Sequence, residues 1–209
     1  MQHKSYSIQQ VAEIVDGQVV GNQIERQVCD LLIDSRQLVV AEQALFFAIV
    51  SARNDGHKYI KDLYDKGVHA FVVSRLPESP CPYAAFIVVD DTLKALQSLA
   101  AYHRQQFDIP VIGITGSNGK TIVKEWLFQM LSPDFNIVRS PKSYNSQVGV
   151  PLSVWQMNES HGMAIFEAGI SEPEEMTTLQ KVIAPTIGVF TNIGQAHDEN
   201  FISRVQKAG

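Results

Sequence analysis

The stretch Val111-Ile112-Gly113-Ile114-Thr115-Gly116-Ser117-Asn118-Gly119-Lys120-Thr121 decides how this chain is read. Val111 to Thr115 is mostly β-branched and apolar, the composition of a buried strand. Beyond the turn, Val123, Trp126, Leu127, Met130 and Leu131 recur at helical spacing, which predicts an amphipathic helix with this stripe toward the core. A strand running through a glycine-bearing turn into a helix N-terminus makes an anion site. The first N–H groups of a helix lack intrahelical partners, the macrodipole adds partial positive charge, and glycine lets the backbone close around a polyphosphate. Gly116, Ser117, Asn118 and Gly119 are expected to form the cradle. Lys120 would reach the β- and γ-phosphates of a nucleotide, and the Thr121 hydroxyl would sit on Mg²⁺. The match to the general pattern G-x-x-x-x-G-K-[ST] is partial, because Ile114 stands where its first glycine belongs.

Downstream, Ile137-Val138 reads as a short strand, Ala164-Ile165-Phe166 as a buried one, Met176 to Val182 as a helix and Ile187 to Phe190 as a strand. Strands alternating with helices predict a parallel, doubly wound sheet, and ligands of such sheets bind outside the carboxyl ends of the strands. Glu167 closes one of these strands, and His197 follows another through Thr191 to Ala196. Lys120, Glu167 and His197 are therefore expected at one rim. Thr121, Glu167 and His197 would make the magnesium site, since Mg²⁺ takes few protein ligands and keeps several waters. Asn192, just after its strand, is a candidate nucleotide contact. Ser143 to Pro151 is polar and turn-rich before it becomes apolar, which predicts a loop leading into a buried element.

Upstream, Ser7 and Gln10 have the spacing of a capping box, with Ile8, Val11, Ala12 and Val15 as the apolar stripe and Gly17 as the stop. Apolar runs follow at Leu45 to Ile49, Ala70 to Val73 and Phe86 to Val89. A helical pattern at Tyr59, Ile60, Leu63 and Tyr64 ends at Gly67, and Asp91 or Thr92 can cap a helix carrying Leu93, Leu96, Leu99 and Ala100. The fold class expected is α/β: a small N-terminal α/β domain over residues 1–107, then an incomplete P-loop-type doubly wound parallel sheet over residues 108–209.

With 209 residues and 45% apolar content the chain can bury two cores. A net charge of −5 and a pI near 5.6 give no basic footprint, so a nucleic-acid partner is not expected. Cys29 and Cys81 have no metal-ligand spacing, the opening residues lead into no apolar leader, and no apolar run reaches membrane-spanning length. A cytoplasmic protein without membrane insertion is expected.

The assembled residues resemble the Mur ligase family of peptidoglycan synthesis. The family's T-G-x-x-G-K-T turn stands here as Thr115 to Thr121, its glutamate-bearing strand as Phe166-Glu167-Ala168-Gly169, and its Asn-to-His loop as Thr191 to His197. Pro141 to Pro151 looks like the family's Asn-Asn-x-Ile-Gly-Val-Pro segment, with Asn145 on one asparagine and Ser146 departing from the other. The ordered set Asp34-Ser35-Arg36, Leu45 to Ile49 and Arg53-Asn54-Asp55-Gly56-His57 resembles the region that binds a UDP-sugar, with Ser51 where a glycine is usual. The resemblance implies substrate contacts from Ser35, Arg36, Arg53, Asp55, Gly56, His57 and Asn145. It also implies ATP and Mg²⁺ as cofactors, and amide formation between UDP-N-acetylmuramoyl-tripeptide and D-alanyl-D-alanine through an acyl phosphate. A C-terminal domain is expected beyond this chain, which alone would bind substrate without ligating. Another ligase of the same pathway and a non-catalytic UDP-sugar-binding module stay open at this point.

Overall fold

The computed structural model describes residues 4–21, 25–52, 54–78, 81–169 and 175–192. The chain divides into two compact units, Gln2–Leu99 and Ala100–Gly209.

In the first unit, β1 (Tyr6–Ser7) pairs antiparallel with β3 (Gln27–Val28) and leads into α1 (Ile8–Ile14). Ser7 caps this helix as its spacing predicts. Its Oγ accepts the Gln10 N–H at 3.1 Å, and its own N–H donates to Gln10 Oε1 at 2.8 Å. At the other end the left-handed residue is Asp16, at φ 53°, one position before the glycine expected to stop the helix.

The main sheet contains β2 (Gln18–Val20), β4 (Asp30–Leu32), β5 (Ala44–Phe47), β8 (Ala70–Val73) and β9 (Ala85–Val88), in the order β2-β9-β8-β5-β4. All pairs are parallel except that of β2 with β9. Every residue of β5 and β8 is buried, as expected of parallel strands covered on both faces. Phe46, Phe71 and Phe86 pack with Ile60 and Leu63 of α2 (Ile60–Asp65), and Phe71 stacks on Phe86 with ring centroids 5.3 Å apart. A small hairpin of β6 (Val50–Ser51) and β7 (Asn54–Asp55) follows β5. There Ser51 Oγ accepts the Asn54 N–H at 3.2 Å, so serine closes the turn where the family has glycine. Helix α3 (Thr92–Arg104) is capped by Asp91, whose Oδ1 accepts the N–H groups of Leu93 and Lys94.

The second unit contains a four-stranded parallel sheet of β10 (Val111–Thr115), β11 (Ile137–Arg139), β12 (Met163–Glu167) and β13 (Ile187–Phe190), in the order β11-β12-β10-β13. Alternate residues point to opposite faces. Val111, Ala164 and Phe166 pack with α5 (Gly149–Val154) and α6 (Glu175–Ile183) through Val150, Val154, Leu179 and Val182. Ile112, Ile114, Met163 and Ile165 pack with α4 (Lys120–Leu131) through Val123, Leu127, Phe128 and Leu131. Glu167 shares the parity of Met163 and Ile165 and therefore faces α4.

The stripe expected on α4 is partly displaced. Trp126 and Met130 are 64% and 72% exposed, as is much of Ile122, while Lys124 is fully buried. Apolar residues cover most of this helix's circumference and leave only the edge of Thr121, Glu125 and Gln129 polar, so periodicity alone defines the inner face loosely. A partner for Lys124 fixes it, and that partner is Glu167.

Candidate functional site

The parallel order puts the carboxyl ends of β10, β12 and β13 at one rim, with Ile114 paired to Glu167 and Thr115 to Phe190. The turn after β10 is stitched to the end of β13. The Ser117 N–H donates to Asn192 O at 2.9 Å, the Asn118 N–H to Asn192 Oδ1 at 3.0 Å, and Thr191 Oγ1 to Asn118 O at 2.6 Å. Two of the four cradle residues thus direct their N–H groups to Asn192, whose side chain braces the turn. The N–H groups of Lys120, Thr121 and Ile122 precede the first intrahelical bond, from Val123 N–H to Gly119 O, and these are the donors a helix start leaves for an anion.

Two glycines are required for different reasons. Gly116 sits at φ 130°, and a Cβ there would lie 2.1 Å from Thr191 Oγ1 and 2.9 Å from Asn192 N. Gly119 starts α4 in the left-handed region at φ 83°, with nothing within 4 Å of where its Cβ would be. Its need is conformational alone.

Lys120 Nζ donates to Gly116 O at 2.6 Å, which lays the ammonium across the turn. Burial pushes the Lys120 pKa below the ordinary lysine value, with the Glu167 charge pulling the other way. The Thr121 hydroxyl donates to Glu167 Oε2 at 3.1 Å. The other carboxylate oxygen, Oε1, lies 2.9 Å from Lys124 Nζ, and both side chains of this pair are fully buried. Thr121 Oγ1 and Glu167 Oε2 are hard oxygen donors side by side at a helix start, a set that fits Mg²⁺. His197 lies outside the described residues.

Asn145 reaches the same rim from the loop after β11. Its carbonyl accepts the Gly169 N–H at 2.8 Å, just past Glu167. Ser146, which departs from the family's asparagine, accepts the Gly149 N–H on its Oγ at 3.1 Å and so starts α5.

In the first unit a second rim forms where the parallel strands β4, β5 and β8 end. Asp34 caps the 3₁₀ turn of Ser35–Gln37 through the Arg36 N–H at 3.0 Å and accepts Arg36 Nη2 at 2.6 Å. The Arg36 hydrogen bonds hold the Asp34 carboxyl down to about 2. The arginine side chain is nevertheless 86% exposed, so its remaining donors face solvent. Asp55 accepts from Arg75 Nη2, His57 N–H and His57 Nδ1, which together hold its carboxyl well below the usual range, Arg75 contributing most. His57 Nε2 accepts the Ser74 N–H at 3.1 Å, which assigns the ring proton to Nδ1, directed at Asp55. Gly56 packs against the backbone of Ala48, and its N–H donates to Ile49 O at 2.9 Å. Arg53 lies outside the described residues. The structure thus brings Ser35 and Arg36 to the carboxyl-end rim that also carries Asp55, Gly56 and His57. It brings Lys120, Thr121, Glu167, Asn192 and Asn145 together on the other. Sequence reasoning missed Lys124, Ser140 and Arg75; a lysine four residues after Lys120, in line with Leu127 and Leu131, was the available signal for the first.

These features define a class: an α/β protein with a P-loop-type strand-turn-helix site in one unit and a mostly parallel α/β unit before it. The model described as Mur ligase middle domain matches residues 114–207, and that described as Mur ligase family, catalytic domain, matches residues 30–104. The chain belongs to the Mur ligase family. A UDP-N-acetylmuramoyl-tripeptide--D-alanyl-D-alanine ligase from Bacillus subtilis is 34% identical over 95% of this chain and 43% of its own length. Its counterpart from Synechocystis is 37% identical over 80% of this chain and 37% of its own length. Among solved structures, MurF from Acinetobacter baumannii superposes with a TM-score of 0.90 at 28% identity, covering all of this chain and 45% of that one. MurF from Thermotoga maritima in complex with ADP gives 0.74 at 28% identity, over 85% of this chain and 40% of that one. The chain therefore spans about two fifths of the length of the relatives it matches. Among the described residues no helix is long and apolar enough to cross a membrane.

Proposed function

We propose that this chain supplies the UDP-substrate-binding unit and the nucleotide cradle of an ATP-dependent ligase that joins D-alanyl-D-alanine to UDP-N-acetylmuramoyl-tripeptide. The observation that carries the reading is the contact of Thr121 with Glu167 beside a Gly-Lys-Thr turn, in a chain similar to curated ligases named for that substrate pair and to solved MurF structures. Residues 1–107 are the proposed UDP-sugar domain and residues 108–209 the proposed ATP-binding domain. A cytoplasmic location goes with this reading.

The chemistry poses a charge problem. The terminal carboxylate of the tripeptide attacks the γ-phosphorus of ATP, ADP leaves, and the resulting acyl phosphate is attacked by the amine of D-alanyl-D-alanine, releasing phosphate and forming the amide. Both partners of the first step are anionic, so positioning and fixed positive charge do most of the work. Lys120 leaves Gly116 O for the phosphates, and the N–H groups that open α4 bind the same anion. Thr121 Oγ1 and Glu167 Oε2, with His197, are the proposed holders of Mg²⁺, which would neutralise phosphate charge when bound. Asn192 acts on the nucleotide through the turn it braces, and Asn145, bonded to Gly169 just past Glu167, is a further proposed substrate contact. At the other rim, Arg36 offers an exposed guanidinium to the diphosphate, steadied by Asp34, and Ser35, Asp55, Gly56 and His57, with Arg53, are the remaining proposed contacts.

Titration of this chain with a UDP-muramoyl peptide, followed by calorimetry, tests the substrate half of the proposal. Arg36→Ala is expected to weaken that binding by roughly tenfold or more, the loss of a charge-assisted bond, and to leave ADP binding unchanged. Equal UDP-ligand affinity in the variant and the parent would remove Arg36 from the site.

A further inference from the structure

A fully buried cation lies beneath the cradle. Lys124 lies one helical turn after Lys120 on α4, and its side chain is entirely shielded from solvent. Its ammonium lies 2.9 Å from Glu167 Oε1, donates to Ser140 O at 2.9 Å and to Lys142 O, and stands 3.4 Å from Glu125 Oε1, which is the partly exposed edge of the cluster. Glu125 is itself paired with Arg139. The arrangement is closed by Ser140, whose Oγ accepts the Glu167 N–H at 3.1 Å. Lys142 adopts φ 50°, a left-handed conformation unusual for a residue with a side chain, and its carbonyl is one of those that meet Lys124.

A fully buried ammonium is costly unless paired and hydrogen-bonded, and here one carboxylate and two carbonyls supply that. The pairing also has a direction. Lys124 takes Oε1 of Glu167, while Oε2 is turned to the Thr121 hydroxyl at the rim. Through Ser140 and Lys142 the same ammonium anchors the start of the loop that delivers Asn145 to Gly169.

The geometry points to Lys124 as a positioning residue: it holds Glu167 with a single oxygen presented beside Thr121, and so sets the carboxylate for the divalent cation that accompanies the nucleotide. This inference rests on the magnesium reading above. Partners that orient a metal-binding carboxylate without touching the metal typically matter by 10- to 100-fold in metal affinity.

The test is the Mg²⁺ dependence of ADP binding to this chain, measured by calorimetry with and without the metal, in the parent, Lys124→Gln, Glu167→Gln and the double variant. Lys124→Gln is expected to lower the Mg²⁺ affinity of the ADP complex on the order of 10- to 100-fold while leaving metal-free ADP binding unchanged. The double variant is expected to lose no more than Glu167→Gln alone, because the lysine acts through the carboxylate. A purely structural lysine would instead lower metal-free binding in step. Undiminished Mg²⁺ affinity in Lys124→Gln, or additive losses in the double variant, overturns the proposal and leaves the metal reading intact. A parent chain whose ADP binding ignores Mg²⁺ overturns both. If Lys124→Gln fails to fold, Lys124→Arg decides, since it keeps the charge and changes the geometry: weakened Mg²⁺ affinity supports the proposal and parental affinity overturns it.

Discussion

Lys120→Ala is expected to cost on the order of 10²- to 10³-fold in ATP turnover in an enzyme of the relatives' full length that carries this sequence, the scale of losing one fixed charge aimed at a developing anion. In this chain alone the readout is ADP affinity, which should fall steeply while UDP-ligand affinity stays as it was. The separation follows from topology. Lys120 opens a helix in the second unit, whereas the proposed UDP-contact residues Ser35, Arg36, Asp55, Gly56 and His57 all lie in the first. Lys120→Arg is expected to fail as well, because the ammonium is already half enclosed against Gly116 O and a planar guanidinium has a different reach. Undiminished turnover in Lys120→Ala would remove the turn from the chemistry.

The second large effect is one of fit. Gly116→Ala brings a methyl carbon to 2.1 Å from Thr191 Oγ1 and 2.9 Å from Asn192 N, at a φ of 130° that residues with a side chain rarely adopt. Backbone strain of about 1–3 kcal/mol adds to a comparable overpacking cost, so roughly 2–6 kcal/mol of stability is at stake, a large share of what a domain possesses. Chemical denaturation should show the loss in the transition of the second unit. Combining the change with Thr191→Ala should restore only part of it, since the clash with the Asn192 backbone remains. A parental midpoint for Gly116→Ala would mean that the turn is not seated against β13 as described.

Much of this was readable from the chain alone. Ser7 with Gln10 and the strand at Ala70–Val73 are local patterns, and local hydrogen bonds and burial realise them as written. The doubly wound sheet followed from alternation, and once the strands are parallel Glu167 must come to the rim of the Gly-Lys-Thr turn. What periodicity could not supply was the exact inner face of α4, because Ile122, Val123, Trp126, Leu127, Phe128, Met130 and Leu131 span most of its circumference and leave only the edge of Thr121, Glu125 and Gln129 polar. The helix is set by the buried contact of Lys124 with Glu167, a tertiary interaction between residues 43 positions apart in number (124 and 167). Nor could the sequence tell that Asn192 would spend its amide on the Asn118 N–H, since an asparagine after a strand can serve a turn or a ligand equally well.

The most direct measurement is an amide NMR titration of this chain with ADP and Mg²⁺. Shifts centred on the N–H groups of Lys120, Thr121 and Ile122, spreading to Glu167 and lost in Lys120→Ala, are the expected result. Shifts confined to the opposite edge of the parallel sheet, or an unaltered response in Lys120→Ala, would contradict the placement of the nucleotide on the turn between β10 and α4.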